Sequence, residues 1–371
     1  MLTIIVGIPT LNEGQTIERT TRLVDTGLTQ LGLRAVIVNC DSGSRDGTVE
    51  RFERVTTAYP KETLRPEGPR QGKGANLRRV AEYAAHAQAD AVVFVDADVE
   101  TLRPEWIPAL AGPVLREGAD YVSAAYQASQ GGPLRHLLSR PVVYGLFGAD
   151  IAQPTGGEIA LSGRLARAIA TMPMEDSDYG YGIDILIACE AVAAGLPFCA
   201  VDLGVKVHRA RRWSTIDAIA VEVAESALRA YRRSPTRRGP SVRQPLRQPA
   251  LASSVTPPHG AIADTGVLTE RWRSEREQFA PMYARVLRPD VFETVQSETA
   301  VGIANEPWHQ VIRQFALACR TDVYRPQELS AALMPLFLGR MAVFADEIAG
   351  TDPLELTERL NRDLDRCLAA A

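Results

Sequence analysis

Ala91-Val92-Val93-Phe94-Val95 is an unbroken apolar run, β-branched at three positions, that leads directly into Asp96-Ala97-Asp98. Such a run predicts a strand buried on both faces of a parallel sheet. In open α/β sheets ligands bind outside the carboxyl ends of the strands, which is where the two acids fall. Two carboxylates there offer hard oxygen donors suited to Mg²⁺ or Mn²⁺ carrying substrate phosphates. An isolated D-x-D is more often an exposed strand-end turn, so the surrounding sequence has to decide.

Upstream, residues 2–8 form a second apolar run, ended by Pro9. Pro9-Thr10-Leu11-Asn12-Glu13-Gly14 reads as a loop, residues 16–31 carry a helical pattern, and residues 34–39 are again strand-like. Strand, helix and strand in that order open a parallel βαβ unit. The second strand runs into Asp41-Ser42-Gly43-Ser44-Arg45-Asp46-Gly47-Thr48. Its short polar side chains and glycines suit a tight turn, with Asp46 or Thr48 capping the next helix. Gly68-Pro69-Arg70-Gln71-Gly72-Lys73-Gly74 precedes a helix expected over residues 76–89. Glycines around a lysine at a helix start make either a phosphate cradle or a solvated loop, and Walker spacing is absent.

The 371 residues carry a net charge of −4, with 46% hydrophobic and 23% charged residues. That is ordinary for a globular chain and lacks the basic excess of a nucleic-acid binder. Five cysteines (Cys40, Cys189, Cys199, Cys319 and Cys367) lack metal-type spacing and read as free thiols in a reducing compartment. Strand-like sequence begins right after Met1-Leu2-Thr3, and no apolar run reaches about 18 residues. The expectation is a cytoplasmic protein without signal peptide or membrane span, and without nucleic acid among its partners.

Four features fall in register: P-x-L-N-E at 9–13, D-S-G-S-x-D-G-T at 41–48, G-K-G at 72–74 and the strand ending in D-x-D at 96–98. Together they resemble the GT-A nucleotide-sugar glycosyltransferases, over roughly residues 3–230. Gln153-Pro154-Thr155-Gly156-Gly157-Glu158, Tyr181-Gly182-Ile183-Asp184 and Leu203-Gly204-Val205-Lys206-Val207-His208-Arg209 narrow the likeness. They resemble the retaining members that glycosylate glycerate or 3-phosphoglycerate, the glucosyl-3-phosphoglycerate synthase and mannosylglycerate synthase type. The resemblance implies an α/β fold of GT-A type: a Rossmann-like, mostly parallel sheet with helices on both faces, plus a C-terminal helical appendage. We expect the GT-A domain over 1–230, an Arg/Pro-rich loop or linker over 231–262, and a helical region over 263–371. Helical patterns there cover 270–287, 308–319, 326–349 and 352–370, with Pro335 interrupting the third. This region would pack on the catalytic domain or make a homodimer. The arginine-rich stretch 229–248 reads as a mobile, solvated loop near the active site.

The same resemblance implies roles. The donor is a UDP- or GDP-hexose and the cofactor a divalent cation, Mg²⁺ or Mn²⁺. Asp98 and His208 would be the metal ligands, with Asp96 nearer the ribose and the metal waters. Lys73 would lie against the phosphates as a point charge. Pro9, Leu11 and Glu13 would line the nucleoside pocket, and Asp41 and Ser42 would hold the base edge. Tyr181 and Asp184, three apart at a helix start, share one face and would close over the sugar. The catalytic set is Asp98, Asp184, Glu158 and Thr155. Glu158 and Asp184 are the candidate nucleophiles, although front-face attack without one is favoured. Glu175-Asp176 stand about where inverting relatives carry a catalytic base.

Residues 130–141 would form the acceptor loop and following helix. Gly131, Gly132, Arg135 and Arg140, with Gly157 and Arg209, are the acceptor-binding candidates, because glycines admit backbone N–H groups to an anion and arginine grips it bidentately. The phosphoglycerate enzymes read G-R-V-T where this chain has Gly132-Pro133-Leu134-Arg135, which favours glycerate or another small hydroxy acid over 3-phosphoglycerate. Other readings are a polyprenyl-phosphate sugar transferase and an inactive nucleotide-sugar-binding protein.

Overall fold

The computed structural model describes residues 2–126, 132–207, 216–234, 242–243, 246–247, 264–297, 299–349, 351, 355 and 358–364. Its strands are β1 (Thr3–Thr10), β2 (Arg34–Asp41), β3 (Lys61–Leu64), β4 (Ala91–Phe94), β5 (Tyr121–Ala125), β6 (Ala149–Asp150), β7 (Ile159–Ser162), β8 (Phe198–Asp202), β9 (Val242–Arg243) and β10 (Leu246–Arg247). Eight of them make one sheet in the order β10-β8-β5-β7-β4-β1-β2-β3. Only β7 runs antiparallel, between β4 and β5, so the expected mostly parallel α/β sheet is what forms.

Alternation along β1 dresses both faces. Ile4, Val6 and Ile8 join a core with Val24 and Leu28 of the helix Ile17–Leu31 and with Trp106 and Ile107 of the helix Trp106–Glu117. Gly7 points the other way, and a Cβ there would stand 2.8 Å from Val80 of the helix Lys73–His86. β1 stays paired with β2 as far as Thr10–Asp41, but its pairing with β4 stops at Gly7–Phe94. Beyond Gly7 the two strands part, and Pro9, with no N–H to give a ladder, sits past the last β4 pair. The strand order reverses direction between β1 and β4, so this parting opens the switch-point crevice where ligands bind in such sheets.

The chain divides into two compact units, and the division differs from the expected boundaries at 230 and 262. Met1–Gln127, Ala152–Ala210 and Gln244–Pro257 form the first; Ala128–Ile151, Arg211–Arg243 and Pro258–Ala371 form the second. The segment after β5 and the helix Ile216–Arg233 therefore belong with the C-terminal helices. Their contacts give the reason: Trp308 donates its indole N–H to Leu137 O at 2.5 Å, and Cys319 Sγ reaches Leu228 O at 3.3 Å. The start of the arginine-rich stretch is likewise helical, with Arg229 buried and paired to Glu225 at 3.2 Å. The expected helix over 270–287 is split into Thr265–Arg276 and Ala280–Val286, and Pro281 sits where a new helix start tolerates its missing N–H. Of 352–370, residues 358–364 are helical.

Among the described residues one helix, Pro326–Ile348, is long and apolar enough to cross a membrane, and 78% of its qualifying window is buried inside the protein. Arg340, 0% exposed, pairs there with Glu347 at 2.9 Å. That is how the core helix of a helical unit meets the rest of its fold.

Candidate active site

Two loops at the ends of β1 and β2 are bolted to each other. Asn12 takes a left-handed backbone (φ 59°), which asparagine tolerates. Its N–H donates to Ser44 Oγ at 2.7 Å, and its Oδ1 accepts from Arg45 N at 3.0 Å. Glu13 N donates to Thr48 Oγ at 2.9 Å, and Gly14 N to Asp46 Oδ2 at 2.8 Å. Burial works against charge on Asp46, but the Thr48 hydroxyl and the N–H groups of Gly14 and Thr48 outweigh it and hold the carboxyl below its ordinary range. Pro9 and Glu13 are half-buried, while Leu11 is 53% exposed at the rim.

Asp41 does not present a free base-reading edge. It is 1% exposed, and its carboxylate accepts from Gly43 N (2.9 Å), Ser44 N (2.7 Å), the Ser44 hydroxyl and the Thr10 hydroxyl. Both carboxylate oxygens are engaged within its own turn, so Asp41 shapes the loop. Ser42 ties that loop to the next one, with Oγ 2.9 Å from Asn76 Oδ1 and accepting from Gly72 N at 3.3 Å.

The glycines around Lys73 are required by close approach. Gly72 has φ 137°, and a Cβ on it would meet Tyr179 O at 2.5 Å; one on Gly74 would meet Asp178 O at 1.7 Å. Gly74 N donates to Gly180 O at 3.2 Å. The lysine loop thus lies flat against residues 178–180, directly before the helix Gly182–Ala193, whose N-cap is Tyr181 and whose first turn carries Asp184.

The D-x-D turn is held from beneath by the first helix. Arg19 donates to the carbonyls of Val99 (3.2 Å), Glu100 (2.7 Å) and Leu102 (3.3 Å), and Thr20 to that of Ala97 (3.0 Å). Above it the charged groups converge. Lys73 Nζ lies 2.9 Å from Asp184 Oδ2 and 3.1 Å from Asp96 Oδ1. Lys206 Nζ lies 2.6 Å from Glu158 Oε2 and 3.4 Å from Asp96 Oδ2, and the Tyr126 hydroxyl donates to the same Glu158 oxygen. Burial pushes the Asp184 carboxyl up to about 6, with Lys73 opposing and Asp96 reinforcing. Asp184 Oδ1 is buried and, among the described residues, has no hydrogen-bond partner. Burial pulls Lys206 down, but Glu158 and Asp96 outweigh it and its pKa is raised.

The candidates from the sequence separate accordingly. Asp96, Lys73, Asp184 and Glu158 come together; Tyr181 and half-buried Thr155 lie on the segments that bring them. Glu158, however, is 0% exposed and committed to Tyr126 and Lys206, so it is not an accessible nucleophile. Gly157 allows that packing, since a Cβ there would stand 2.0 Å from Asp96 Oδ2. Glu175 is spent as a helix cap over Asp176–Tyr179, and Asp176 pairs at the surface with Arg70. Lys206 and Tyr126 carried no role in the sequence reading. Lys206 stood inside a quoted motif, where an ammonium between two apolar residues gave no sign of facing an acid.

Asp98 is half-buried, and among the described residues its carboxylate has no hydrogen-bond or ion-pair partner. A hard, unspent carboxylate beside a fully engaged Asp96 suits a divalent cation. Among the described residues no three His, Cys, Asp or Glu side chains gather into a self-contained metal site. His208, Gly131 and Arg209 lie outside the described residues. The chain is followed to Val207, whose O accepts from Glu100 N at 2.8 Å and whose N donates to Thr101 Oγ at 2.9 Å, alongside the D-x-D turn.

In the second unit, Gly132 is exposed with φ 55°, and Arg135 is buried in the helical turn Leu134–Ser139. Arg140 is not available to an acceptor: it grips Asp150 bidentately at 2.7 and 3.0 Å and donates to Asn361 Oδ1 at 2.5 Å.

The chain is similar to known glycosyltransferases. The family model for glycosyl transferase family 2 matches residues 5–160. Glucosyl-3-phosphoglycerate synthase of Mycobacterium tuberculosis (strain H37Rv) is 32% identical over 251 residues, 61% of this chain and 72% of that protein. The synthase of Petrotoga mobilis is 29% identical over 240 residues, 60% of this chain and 71% of that protein. A crystal structure of the M. tuberculosis synthase with Mn²⁺, UDP-glucose and phosphoglyceric acid superposes with a TM-score of 0.52 at 30% identity, covering 62% of this chain and 80% of that one.

Proposed function

The chain belongs to the GT-A glycosyltransferases of glucosyl-3-phosphoglycerate synthase type, and from that premise we propose that it transfers a glucosyl group from UDP-glucose to 3-phosphoglycerate. The observation that carries this reading is the single ammonium of Lys73 held between Asp96 and Asp184 at the parting of β1 and β4. A cation on a flexible stem there meets the donor's diphosphate, and its departure frees Asp184 Oδ2, beside the Oδ1 that has no partner among the described residues, to accept from sugar hydroxyls.

Asp98, with His208 as second protein ligand, would hold a divalent cation, which when bound would neutralise charge on the departing diphosphate. Asp96 faces the ribose side, and Pro9, Leu11 and Glu13 line the nucleoside. Ser42 and Asp41 act by fixing the loops around it. With Glu158 closed off and Asp184 engaged in binding, neither candidate nucleophile among the described residues is available. The acceptor hydroxyl therefore attacks from the leaving-group side and passes its proton to the departing phosphate oxygen, giving an α-glycoside. The protein's part is positioning and charge stabilisation.

A 3-phosphoglycerate acceptor supersedes the glycerate expectation because the similar proteins are named for it. Unphosphorylated glycerate stays as the second reading, favoured by Gly132-Pro133-Leu134-Arg135. The test is a panel of UDP- and GDP-hexoses against both acids and a polyprenyl phosphate with Mg²⁺ or Mn²⁺, scored by product formation and anomeric proton coupling. UDP-glucose with 3-phosphoglycerate should be the best pair and the coupling small. A β-anomer, or a lipid phosphate preferred over both acids, would overturn the reading.

A further inference from the structure

Asp96 is gripped from two sides, and the two grips are not alike. On one side is Lys73, which the donor reading above sends to the diphosphate. On the other is Lys206, whose ammonium is tied 2.6 Å from Glu158 Oε2 and 3.4 Å from Asp96 Oδ2. Glu158 is 0% exposed, and Asp96 N donates back to its Oε1 at 3.4 Å. Tyr126, 7% exposed, donates to Glu158 Oε2, lies under the Lys206 ammonium at 5.7 Å, and packs against buried Trp106 at 5.9 Å. A line of fixed groups thus runs from the sheet core to Asp96: Trp106, Tyr126, Glu158, Lys206.

We infer that Lys206 is a positioning residue for the donor: anchored by Glu158 and Tyr126, it holds the Asp96 carboxylate in the orientation that binds the nucleotide sugar once Lys73 has turned to the phosphates. The inference rests on the donor reading above. Gly157 supports it independently, because a single methyl there would drive Asp96 off its place without altering any charge. A bare counter-ion role for Lys206 makes a different forecast. A buried carboxylate without its ammonium is strongly destabilising, so neutralising Glu158 would then cure every defect that loss of Lys206 causes.

The experiment compares Lys206→Met, Lys206→Arg, Glu158→Gln, the double variant Lys206→Met/Glu158→Gln, and Gly157→Ala. Melting temperature and KM are measured separately for UDP-glucose and for the acid acceptor. Lys206→Met should raise donor KM about tenfold or more, the loss expected for one charge-assisted contact, with acceptor KM nearly unchanged. Lys206→Arg should keep most donor affinity. The double variant should regain melting temperature but not donor KM, and Gly157→Ala should raise donor KM likewise. If Lys206→Met does not fold, the double variant carries the comparison. Recovery of both properties in the double variant, or a donor KM unmoved by losing Lys206, overturns the inference. A wild-type enzyme that turns over no nucleotide sugar would instead overturn the donor reading.

Discussion

One ammonium serves two carboxylates from different elements: Lys73 Nζ lies 2.9 Å from Asp184 Oδ2, at a helix start, and 3.1 Å from Asp96 Oδ1, after β4. The contact offsets part of the charge on the two acids, and the donor role proposed for Lys73 gives it two states, paired inward or turned to a diphosphate. Lys73→Met removes the second state and leaves both acids facing an incoming anion. We expect donor kcat/KM to fall on the order of 10²-fold, with UDP affinity measured by calorimetry falling in parallel. Arginine should rescue only partly, since a planar fork replaces a point charge. Unaltered UDP affinity in Lys73→Met would remove Lys73 from the phosphate site.

Asp184 links the site to pH. Its carboxyl is raised to about 6 in the folded protein by burial, against an ordinary value of 3.8. Below the lower value it is protonated whether folded or not and contributes nothing. Between the two, the unfolded chain has released a proton that the folded one keeps, so rising pH destabilises the fold, until the effect levels off above about 6. Asp184→Asn lacks this titration. The stability of Asp184→Asn relative to wild type, measured in EDTA, should therefore climb from pH 4 to about 6.5 and then stay flat. A constant difference across that range would contradict the assignment.

Much of this architecture was legible in order along the chain. The apolar run ending in Asp96 and Asp98 had to be an interior strand, and the glycines around Lys73 proved necessary because carbonyls of Asp178 and Tyr179 stand against them. What stayed hidden depended on partners distant in sequence. Glu158 follows two glycines and reads as a candidate nucleophile, yet Lys206, 48 residues on, pairs with it as a buried acid. Asp41 read as a loop acid because β2 was expected to stop at 39; it runs to Asp41 and carries the carboxylate under its own turn. Arg140 finds Asp150 through a strand too short to show a period.

The cation prediction follows from the contrast between the two acids of the D-x-D. Asp96 is engaged on both oxygens, whereas Asp98 is unspent, so Asp98→Ala should cost little stability. It should lower kcat on the order of 10²-fold or more through loss of a metal ligand. Chelation with EDTA should abolish wild-type turnover, and Mn²⁺ or Mg²⁺ should restore it. Full activity after EDTA treatment would remove the metal from the mechanism.

Two arginines of the segment expected to hold the acceptor, residues 130–141, should give opposite phenotypes. Arg140 is bound bidentately by Asp150, so Arg140→Ala strands a buried carboxylate and should destabilise the protein by about 3–5 kcal/mol. Replacing both partners together, Arg140→Met with Asp150→Leu, should recover most of that loss, because well-packed apolar groups substitute for a buried pair at little cost. Arg135 is the one proposed to hold the acid acceptor. A small acid offers few atoms, so its anionic groups must carry much of the binding. One charge-assisted arginine contact contributes about 1.5–3 kcal/mol, or roughly ten- to a hundredfold in affinity. Arg135→Ala should therefore raise acceptor KM by that factor and leave donor KM nearly unchanged, and Arg135→Lys should recover part of it. The decisive comparison is acceptor KM in Arg135→Ala against that in the stabilised Arg140→Met/Asp150→Leu pair. An unchanged value in the first, or an equal rise in both, would take Arg135 out of the acceptor site.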